Sequence, residues 1–309
     1  MQRPRIVVVG SSNTDMVVKA PHIPAPGETV VGGSLVMAAG GKGANQAVTA
    51  ARLGSEVTFV VRLGRDMFGR QAEEGLRREG IDTSYLVWDE RTPSGVALII
   101  VSQEGENSIA VAPGANAEMT PADVERAEDA IAAADVVLVQ LEVPLAAVQR
   151  TVELAVRHRV RVILNPAPAA PVPDDLLAQV SLLTPNQHEA ALLVGVKVQG
   201  EAGAEQAARV LVERGVRSLV ITLGKRGALL VEDGRSELIP AYRVDPVDTT
   251  GAGDAFNGAL AHMWAQGKPL REAVFYANAV AALATTVMGA QPSLPHADKV
   301  AAFLKQQRR

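Results

Sequence analysis

Short runs of β-branched residues alternate with longer helical patterns over most of the chain, and this alternation limits the fold more than any other feature. The apolar runs, which we interpret as strands, are residues 6–9, 57–61, 136–139, 160–164 and 218–222. The helical patterns between them cover residues 44–53, 68–79, 121–134, 145–158 and 204–213. Short apolar runs are typical of parallel strands that are buried on both faces. The sequence therefore predicts an α/β fold: a doubly wound, mostly parallel sheet flanked by helices.

The last part of the chain has helical patterns throughout. We predict helices over residues 252–266, 270–287 and 297–306. Gly267 and Pro269 separate the first two, because neither residue is accommodated well inside a helix. With 309 residues, of which 48% are hydrophobic, the chain can bury the core of one large domain. We therefore expect a single domain over residues 1–309.

Two segments, residues 13–38 and 94–112, interrupt the alternation with strand-like patterns that enclose no helix. We predict that they pair into a small β-sheet that forms a lid over one end of the domain. We expect the outer face of this sheet to carry apolar residues, among them Val17, Val18, Val30, Val31, Leu98 and Ile100. A small sheet needs another surface to bury both of its faces, so we expect a homodimer through the lid. The alternative is that the lid packs only on its own domain.

Charge and cysteine content exclude several classes of partner. The chain has 30 basic and 34 acidic residues and a net charge of -4, and its basic residues are scattered, unlike those of a nucleic-acid-binding surface. It has no cysteine, which fits a reducing compartment. The apolar run at residues 6–9 is too short for a signal peptide, and no segment has the length of a membrane span. We predict a cytoplasmic protein without nucleic-acid or membrane partners.

The segment from Asp248 to Asp254, with the sequence DTTGAGD, places two glycines between two carboxylates at a predicted helix start. Backbone N–H groups at a helix N-terminus bind anions, and glycine lets a ligand come close to the backbone. A carboxylate there can accept a proton from an attacking hydroxyl while the N–H groups hold the phosphoryl group. The motif indicates phosphate chemistry. The alternative is that its aspartates only stabilise the helix start.

A second glycine-rich helix start has the sequence GGKGANQ over residues 40–46. Its three glycines allow close backbone approach, Lys42 supplies one mobile cation, and Asn45 adds a hydrogen-bonding amide. It is not a Walker A loop, because no Ser or Thr follows the lysine. The alternative is an ordinary turn with a solvated lysine.

Other polar residues follow predicted strands. Asn13 and Asp15 come after the run at 6–9, and Glu142 comes after the run at 136–139. Ligands of open α/β sheets bind beyond the carboxyl ends of strands, where a carboxylate can accept hydrogen bonds from a sugar diol. Asn186 and Glu189 begin a helix, a position that suits Mg²⁺ or its waters. The alternative for Glu142 and for the 186–189 pair is helix capping, and for Asn13 and Asp15 it is an ordinary turn.

A glycine-bounded loop, TLGKRG at residues 222–227, follows the last predicted strand. Its position would suit a loop that lines a nucleotide. As a turn between two strands it would need no function.

Taken in order, these motifs resemble those of the ribokinase-type carbohydrate kinases, the PfkB family, over nearly the full length of the chain. The resemblance is carried by Asn13 and Asp15, the run at 40–45, the pair Asn186 and Glu189, and the run at 248–254. The last motif is very specific to that family. The resemblance implies the family's fold and the ATP-dependent phosphorylation of D-ribose at its 5-hydroxyl, which gives ribose 5-phosphate and ADP.

By this resemblance, Asp254 is the base that takes the proton from the sugar hydroxyl, and the backbone of Gly251, Ala252 and Gly253 forms an anion hole over the transferring phosphate. The residues that match the family's ribose contacts are Asn13, Thr14, Asp15, Gly41, Lys42, Gly43, Ala44, Asn45, Glu142 and Asp254. The residues that match its ATP contacts are Asn186, Thr222, Leu223, Gly224, Lys225, Arg226, Gly227, Gly253, Asp254 and Asn278.

The resemblance also implies Mg²⁺ and a monovalent cation, K⁺. The matching positions for K⁺ are Asp248 and Thr250, the carbonyls near Ala284, Val287 and Gly289, and the Ser293 side chain. By the same resemblance, K⁺ would act indirectly by ordering the anion-hole loop. Glu189 would hold Mg²⁺ through water.

Two other functions remain open at this point. One is the phosphorylation of a different sugar by an enzyme of the same family, such as a deoxyribokinase or a fructokinase. Asp15 and the glycine-rich run at 40–45 favour a small polyol, and an aromatic content of 3% leaves little to cover a nucleoside base. The other function is sugar sensing without catalysis, which the intact Asp254 argues against, because a sensor needs no base.

Overall fold

In the computed structural model, which describes residues 3–307, strands and helices alternate as predicted. The strands are β1 (Arg5–Val9), β2 (Asn13–Lys19), β3 (Ser34–Gly40), β4 (Glu56–Gly64), β5 (Leu86–Asp89), β6 (Gly95–Val101), β7 (Asn107–Ala112), β8 (Val136–Gln140), β9 (Arg161–Asn165), β10 (Leu182–Leu183), β11 (Leu219–Thr222), β12 (Ala228–Glu232) and β13 (Arg235–Ile239). The helices are α1 (Lys42–Arg52), α2 (Met67–Arg78), α3 (Pro121–Glu125), α4 (Glu128–Ala133), α5 (Leu145–Arg157), α6 (Asp174–Leu177), α7 (Gln187–Val194), α8 (Gly200–Glu213), α9 (Ala252–Ala265), α10 (Leu270–Ala284) and α11 (Ala297–Gln307).

The main sheet has nine strands in the order β13-β12-β11-β10-β9-β8-β1-β4-β5. All neighbours from β11 to β5 are parallel, and only β12 and β13 at one edge are antiparallel. The chain builds outward from β1 to β4 and β5, and it then returns to add β8 on the other side. Ligands of open α/β sheets bind at the carboxyl ends of strands beside such a reversal. The predicted fold class is confirmed.

Helices cover both faces of the main sheet and divide the core into two clusters. Ile6 and Val8 of β1 belong to the cluster beneath α1, α9 and α10, whereas Val7 and Val9 belong to the cluster beneath α5, α7 and α8. Because both faces of each central strand are buried, the strands are apolar along most of their length. No helix within residues 3–307 is both long enough and apolar enough to cross a membrane.

Four further strands form a small sheet in the order β3-β2-β6-β7. The two predicted segments meet where β2 pairs with β6 in parallel, with Asp15 opposite Ala97. Each segment also contributes an antiparallel neighbour, β3 to β2 and β7 to β6. The prediction of one small sheet built from two distant segments is therefore confirmed.

The predicted composition of the outer face is partly wrong. Val17 and Val18 are neighbours in β2, and successive residues of a strand point to opposite faces. Val30 and Val31 lie in the connection between β2 and β3, outside the sheet. We define the outer face as the one opposite to Asp15. By the pairing register, it carries Met16, Val18, Leu35, Met37, Leu98 and Ile100.

Two other predictions differ from the structure in detail. The helix predicted over residues 121–134 is divided into α3 and α4, because the N–H of Ala127 bonds the carbonyl of Val124, only three residues back. This tighter turn allows Val124, Ala127 and Ile131 all to be buried in the core. The edge strands β5 and β13 were not predicted, since both are partly exposed and lack a continuous apolar run.

Candidate active site

The carboxyl ends of the central parallel strands carry polar side chains, and the N-termini of α1 and α9 lie against them. β8 ends in Gln140 and β9 in Asn165, and Thr184 directly follows β10. All three side chains are buried. Because these strands are neighbours in the sheet, the polar groups converge on one place, as expected of a ligand site in an open α/β sheet.

Asp254 lies in the first turn of α9 and is 7% exposed. Its Oδ2 accepts a hydrogen bond of 2.9 Å from Nδ2 of Asn45, and its Oδ1 accepts one of 3.1 Å from Nε2 of Gln46. Both donors belong to α1, which packs against α9. The carboxylate is therefore held in place by amide groups and not by a cation.

The turn before Asp254 presents backbone N–H groups at the start of α9. Gly251, the N-terminal cap, has φ 77°, which favours glycine. The N–H of Ala252 bonds the carbonyl of Thr249 at 3.2 Å, whereas those of Gly253 and Asp254 donate to no other described residue. The first N–H groups of a helix have no partner within the helix. Of the predicted anion-hole residues, Gly253 is thus available, and Ala252 is engaged in the turn.

Neither the backbone angles nor close packing requires a glycine at position 253. A Cβ added at this position would meet nothing within 4 Å, and the residue is exposed. Glycine at such a position leaves space for a group that comes close to the backbone. An anion at the N-terminus of α9 fits this observation.

The glycines before α1 have a structural role as well. Gly41 caps α1 with φ 89°, and a Cβ on it would come within 2.7 Å of the backbone of Ser12 and Asn13. A Cβ on Gly43 would lie 2.6 Å from the backbone N of Ser11. The start of α1 thus packs directly on the connection between β1 and β2. The side chain of Ala44 is buried in the core, so only its backbone could face a ligand.

Glu142 stabilises the start of α1 from a distant part of the chain. One oxygen of its carboxylate accepts hydrogen bonds from the hydroxyl of Ser11 at 2.5 Å and from the backbone N–H of Lys42 at 2.9 Å. The helix that follows Glu142 in sequence is α5, and its cap is Pro144 without a side-chain hydrogen bond. Glu142 therefore does cap a helix, but the helix is α1.

The carboxylate of Asp15 accepts no hydrogen bond from any side chain or backbone group within residues 3–307. Burial and the nearby carboxylates of Glu142 and Asp254 raise its pKa to about 6. An unpartnered carboxylate in such a place can accept hydrogen bonds from ligand hydroxyls. Asn13 lies on the same face of β2, and Thr14 points to the opposite face because it lies between them. The side chain of Thr14 is therefore not brought to the site with its neighbours.

Lys42 supplies the positive charge of the site. Burial favours its neutral form, but the carboxylates of Asp254, Glu142 and Glu189 outweigh burial and raise the pKa of Lys42. Its ammonium group forms no ion pair within 4.0 Å among residues 3–307. A cation that is surrounded by carboxylates without being bound to one is free to contact an anionic ligand.

Asn13 is oriented by a residue that the sequence analysis missed. Its Oδ1 accepts a hydrogen bond of 2.8 Å from Nδ2 of Asn116. Asn116 also bonds the backbone N and carbonyl of Ser12, at 3.0 and 3.1 Å. A Cβ on Gly95 would lie 2.2 Å from Oδ1 of Asn13, so glycine is required where β6 passes this pair.

The predicted nucleotide and magnesium residues lie beyond β10 and β11. Asn186 and Glu189 form a reciprocal capping box at the start of α7, with the backbone N–H of Asn186 bonded to Glu189 at 2.8 Å. The structure thus shows the capping alternative for this pair. Burial, the largest cause, raises the pKa of Glu189. A single bridge joins Asn186 to Thr222, so the structure brings these two predicted ATP contacts together.

The loop at residues 222–227 is a 3₁₀ turn between β11 and β12, with Gly224, Lys225 and Arg226 exposed and Leu223 buried in the core. A Cβ on Gly227 would lie 2.0 Å from the carbonyl of Ile239. Nδ2 of Asn278 donates to the carbonyls of Ile239 and Pro240, at 3.2 and 3.1 Å. Asn278 therefore supports the segment against which this loop packs.

The predicted cation positions lie in two segments, residues 248–250 before α9 and residues 284–293 from the end of α10, and Asp248 joins them. Oδ1 of Asp248 accepts from the backbone N–H and the hydroxyl of Thr250, and Oδ2 accepts from the N–H of Gly289 at 2.8 Å. Although burial opposes it, these hydrogen bonds hold the pKa of Asp248 below its usual value. The Ser293 hydroxyl donates to the carbonyl of Ala290. Ala284 ends α10 nearby, and Val287 is exposed.

Five buried residues that interconnect beneath Asp254 were missed as site residues: Gln46, Gln140, Asn165, Thr184 and Asn257. A signal for three of them is present in the sequence. Apolar runs that end in Gln140, Asn165 or Thr184 place a hydrogen-bonding side chain at the carboxyl end of a buried strand, where it must find a partner.

The site and fold agree with a known family. A family model described as pfkB family carbohydrate kinase matches residues 3–297. The chain therefore belongs to the pfkB family of carbohydrate kinases.

Individual relatives are similar over almost the full chain. A ribokinase of Haemophilus influenzae is 40% identical over 303 residues, 98% of this chain and 99% of that one. A deoxyribokinase of Salmonella typhi is 36% identical over 300 residues, 97% of this chain and 98% of that one. The solved structure of Arabidopsis thaliana ribokinase complexed with ribose and ATP has a TM-score of 0.91 at 32% identity, and the match covers 98% of this chain and 99% of that one.

Proposed function

We propose that the protein catalyses the ATP-dependent phosphorylation of D-ribose at O5, giving D-ribose 5-phosphate and ADP. The observation that carries the proposal is the position of Asp254. This carboxylate is buried beside the N–H groups that begin α9, so a general base and an anion-binding backbone meet at one point. The similarity to ribokinases over the full chain supports the same reaction.

The sugar would bind between the small sheet and the N-terminus of α1. Asp15 accepts no hydrogen bond from the described residues, and Oδ1 of Asn45 is buried without a partner. A buried polar atom without a partner is costly, and a sugar hydroxyl would satisfy it. Asn13 and Glu142, which are held by Asn116 and by Ser11, would add fixed contacts to the other hydroxyls. Lys42 and the backbone of 41–45 complete the proposed ribose site.

In the reaction, the carboxylate of Asp254 accepts the proton of the 5-hydroxyl as O5 forms a bond to the γ-phosphorus of ATP and the bond to the β-phosphate oxygen breaks. The N–H groups of Gly253 and Asp254, with Gly251, hold the charge of the transferring group. Phosphoryl transfer has a loose transition state, so the position of the base matters more than its strength. The proton thus goes to Asp254, the phosphoryl group goes to O5, and ADP leaves.

The proposed ATP site lies along Asn186, Thr222 and the exposed turn at 224–226, with Asn278 behind it. Mg²⁺, when bound to ATP, neutralises phosphate charge. Within residues 3–307, no group of three or more acidic, histidine or cysteine side chains forms a metal site. Glu189 fits the role of a water-mediated contact, since the carboxylate is already bonded to Asn186.

We propose a K⁺ site at Asp248, Thr250, Ser293 and the carbonyls of 284–289. The donor set consists of a carboxylate, hydroxyls and carbonyls, which are the hard oxygen ligands that suit such a cation. Asp248 already joins the turn before α9 to Gly289 at 2.8 Å. A cation there would favour the arrangement in which the turn presents its N–H groups to phosphate.

We propose that the small sheet acts as a lid that closes over the bound sugar. The lid comprises residues 13–38 and 94–112, and it belongs to the same single domain as the main sheet. The outer face of the small sheet exposes Leu35, Met37 and Leu98 at 61%, 45% and 53%. Such a contiguous apolar surface is typical of an interface, and we propose that a second copy covers it in a homodimer. A cytoplasmic location completes the proposal, since ATP is available there.

A second candidate, the phosphorylation of deoxyribose, is favoured by the similarity to a deoxyribokinase. An ADP-release assay on ribose, deoxyribose and fructose with Mg²⁺ and K⁺ distinguishes the two. We expect the highest kcat/KM with ribose. A ratio no higher than that with deoxyribose or fructose would overturn the assignment of the sugar.

The role of Asp254 is tested with Asp254→Asn, which keeps the size of the side chain. We expect turnover to fall by roughly a thousandfold, as for loss of a general base, while ribose and ATP still bind in calorimetry. Asp298→Asn is the matched control, because Asp298 is an exposed first-turn aspartate of α11. Near-normal turnover of Asp254→Asn would exclude the base.

A further inference from the structure

A continuous series of buried polar side chains runs from β8 to Asp254. Nε2 of Gln140 donates to Oε1 of Gln46 at 2.6 Å. Nε2 of Gln46 donates to Oδ1 of Asp254 at 3.1 Å and to Oδ1 of Asn165 at 3.0 Å. Gln46 and Gln140 are 0% exposed. Gln46 therefore uses its whole amide group inside the protein, and one of its bonds goes to the proposed base.

The orientation of the Gln46 amide is determined by its neighbours. The two acceptors, on Asp254 and Asn165, lie on the Nε2 side, and the donor of Gln140 lies on the Oε1 side. The reversed amide would place oxygen against a carboxylate and nitrogen against another donor. Asn165 is fixed in turn, since its Nδ2 donates to the carbonyl of Thr184 at 3.0 Å. The amides of Gln46 and Asn165 therefore have one favourable arrangement.

The same network returns to the backbone beside the base. The hydroxyl of Thr184 donates to Oδ1 of Asn257 at 2.6 Å, and Nδ2 of Asn257 donates to the carbonyl of Gly253 at 2.9 Å. Gly253 directly precedes Asp254. The network thus holds both the carboxylate of Asp254 and the backbone turn that carries it.

The charges around Asp254 give this arrangement a chemical consequence. The carboxylates of Asp15, from β2, and Glu189, from α7, act on the same region as Asp254, as does the ammonium group of Lys42 from α1. Glu142, after β8, adds a further negative charge. Asp254 therefore lies among several carboxylates and one cation, and the amide donors of Asn45 and Gln46 determine which way its two oxygens face.

We propose that Gln46 is a positioning residue for phosphoryl transfer, which holds Asp254 in the orientation that faces the sugar hydroxyl. Gln140 supports it by fixing the direction of its amide. This inference rests on the proposed function, because it assigns a role toward the base of that reaction. A network that only stabilised the fold would not lower kcat of the folded enzyme while leaving KM for ATP unchanged.

The test uses Gln46→Met, which keeps the size of the side chain and removes the amide, and Gln46→Glu, which keeps one acceptor and adds a charge. For Gln46→Met we expect kcat to fall by about a hundredfold, the loss associated with a misplaced reacting group. We expect KM for ATP to stay within a factor of about two, since ATP is proposed to bind elsewhere. Thr151→Val is the control, because Thr151 is also fully buried and donates only to a carbonyl within α5.

Gln46→Glu supplies the pH readout. Two facing carboxyl groups share one proton, because like charges at close range cannot both ionise easily. We expect the kcat profile of this variant to gain a limb between about pH 6 and 9, in which the rate rises as the shared proton is lost and Asp254 becomes free to act as the base. A profile that superimposes on that of the wild type overturns the inference, as does an unchanged kcat in Gln46→Met.

The two proposals fail in different ways. If the wild type does not phosphorylate ribose, the proposed function fails. If the wild type is active and Asp254→Asn is inactive, but both Gln46 variants behave as the wild type does, only the positioning role fails. Circular dichroism and thermal unfolding identify a variant that does not fold, and in that case Gln140→Met provides the measurement through the same amide, with a smaller expected loss of kcat.

Discussion

The carboxylate of Glu142 accepts a hydrogen bond of 2.9 Å from the backbone N–H of Lys42, although 100 residues separate them in sequence. Lys42 is the first residue of α1. Glu142, which follows β8, therefore stabilises the start of a helix that lies much earlier in the sequence. The same oxygen bonds Ser11 in the connection from β1 to β2. Three segments of the proposed sugar site therefore depend on one side chain.

The first prediction concerns this contact. Glu142→Ala leaves the Lys42 N–H and the Ser11 hydroxyl without their acceptor. A hydrogen bond to a charged group contributes about 1.5–3 kcal/mol, so we expect KM for ribose to rise by roughly ten- to a hundredfold. Steady-state kinetics with varied ribose measures the change.

The matched control is Glu153→Ala. Glu153 also pairs with a basic residue, Arg150, but its side chain is 54% exposed. Exposed ion pairs contribute little, so KM for ribose should not change. An equal effect of the two substitutions would contradict the role of Glu142.

The second prediction concerns Asp15 and pH. In the folded protein its pKa is raised from 3.8 to about 6. The folded state then binds more protons than the unfolded state between these values, so this group lowers stability as pH rises through that interval. At about 1.4 kcal/mol per pKa unit, and with a reduction for its partial exposure, the cost above pH 6 is on the order of 2 kcal/mol.

We therefore expect Asp15→Asn to unfold at higher denaturant concentration than the wild type at pH 8 and to lose this advantage near pH 4. At the same time its affinity for ribose should fall. Urea unfolding at the two pH values measures the first effect, and calorimetry measures the second. A variant that is less stable at pH 8, or equally able to bind ribose, would show that the charge of Asp15 has no such cost or use.

The third prediction concerns the loop of Asp248. Asp248→Ala removes the acceptor that joins Thr250 to Gly289. For the wild type, we expect a higher kcat in K⁺ than in tetramethylammonium at equal ionic strength. The variant should lose this difference, with kcat lower by roughly tenfold, because the turn before α9 is less ordered.

Asp245→Ala is the control for Asp248, since Asp245 is exposed in the same segment of the chain. It should keep the dependence on K⁺. Equal rates of the wild type in the two salts would exclude a cation at this loop.

The fourth prediction concerns the outer face of the small sheet. Leu98 lies in an inner strand of this sheet and is 53% exposed. A charge that is buried at an interface without a partner is costly. We expect Leu98→Glu to convert a dimer into a monomer in light scattering. Val212→Glu is the control, because Val212 is similarly exposed on α8, away from the sheet. A wild type that is monomeric at all concentrations would refute the proposed dimer.

Much of the fold could be predicted because its signals are local. Residues 6–9 and 136–139 are apolar without interruption, as expected of short strands that are buried on both faces. The glycine runs at 40–43 and 251–253 likewise indicated where two helices begin. These features depend on the residues themselves and on their immediate neighbours.

The network beneath Asp254 could not be predicted in the same way. Gln46 lies 208 residues from Asp254 in sequence, and a glutamine in a helix has many possible partners. Its hydrogen bonds depend on how α1 packs against α9, and on Gly258, where a Cβ would come within 2.6 Å of the Gln46 carbonyl. The direction in which the Gln46 amide points, and the groups it bonds, are therefore determined by how these two helices pack.

The sequence by itself thus determined the order of the central strands and of the helices between them, the positions of the glycine-rich helix starts and, through the family resemblance, Asp254 as the candidate base. The tertiary structure decided which residues act on that base. It joined Glu142 to α1 rather than to α5, paired Glu189 with Asn186 in a cap, and aligned Gln46 between Gln140 and Asp254. The physical reason is that propensity and hydrophobic pattern act over a few residues, whereas buried polar groups must find partners wherever the fold brings them.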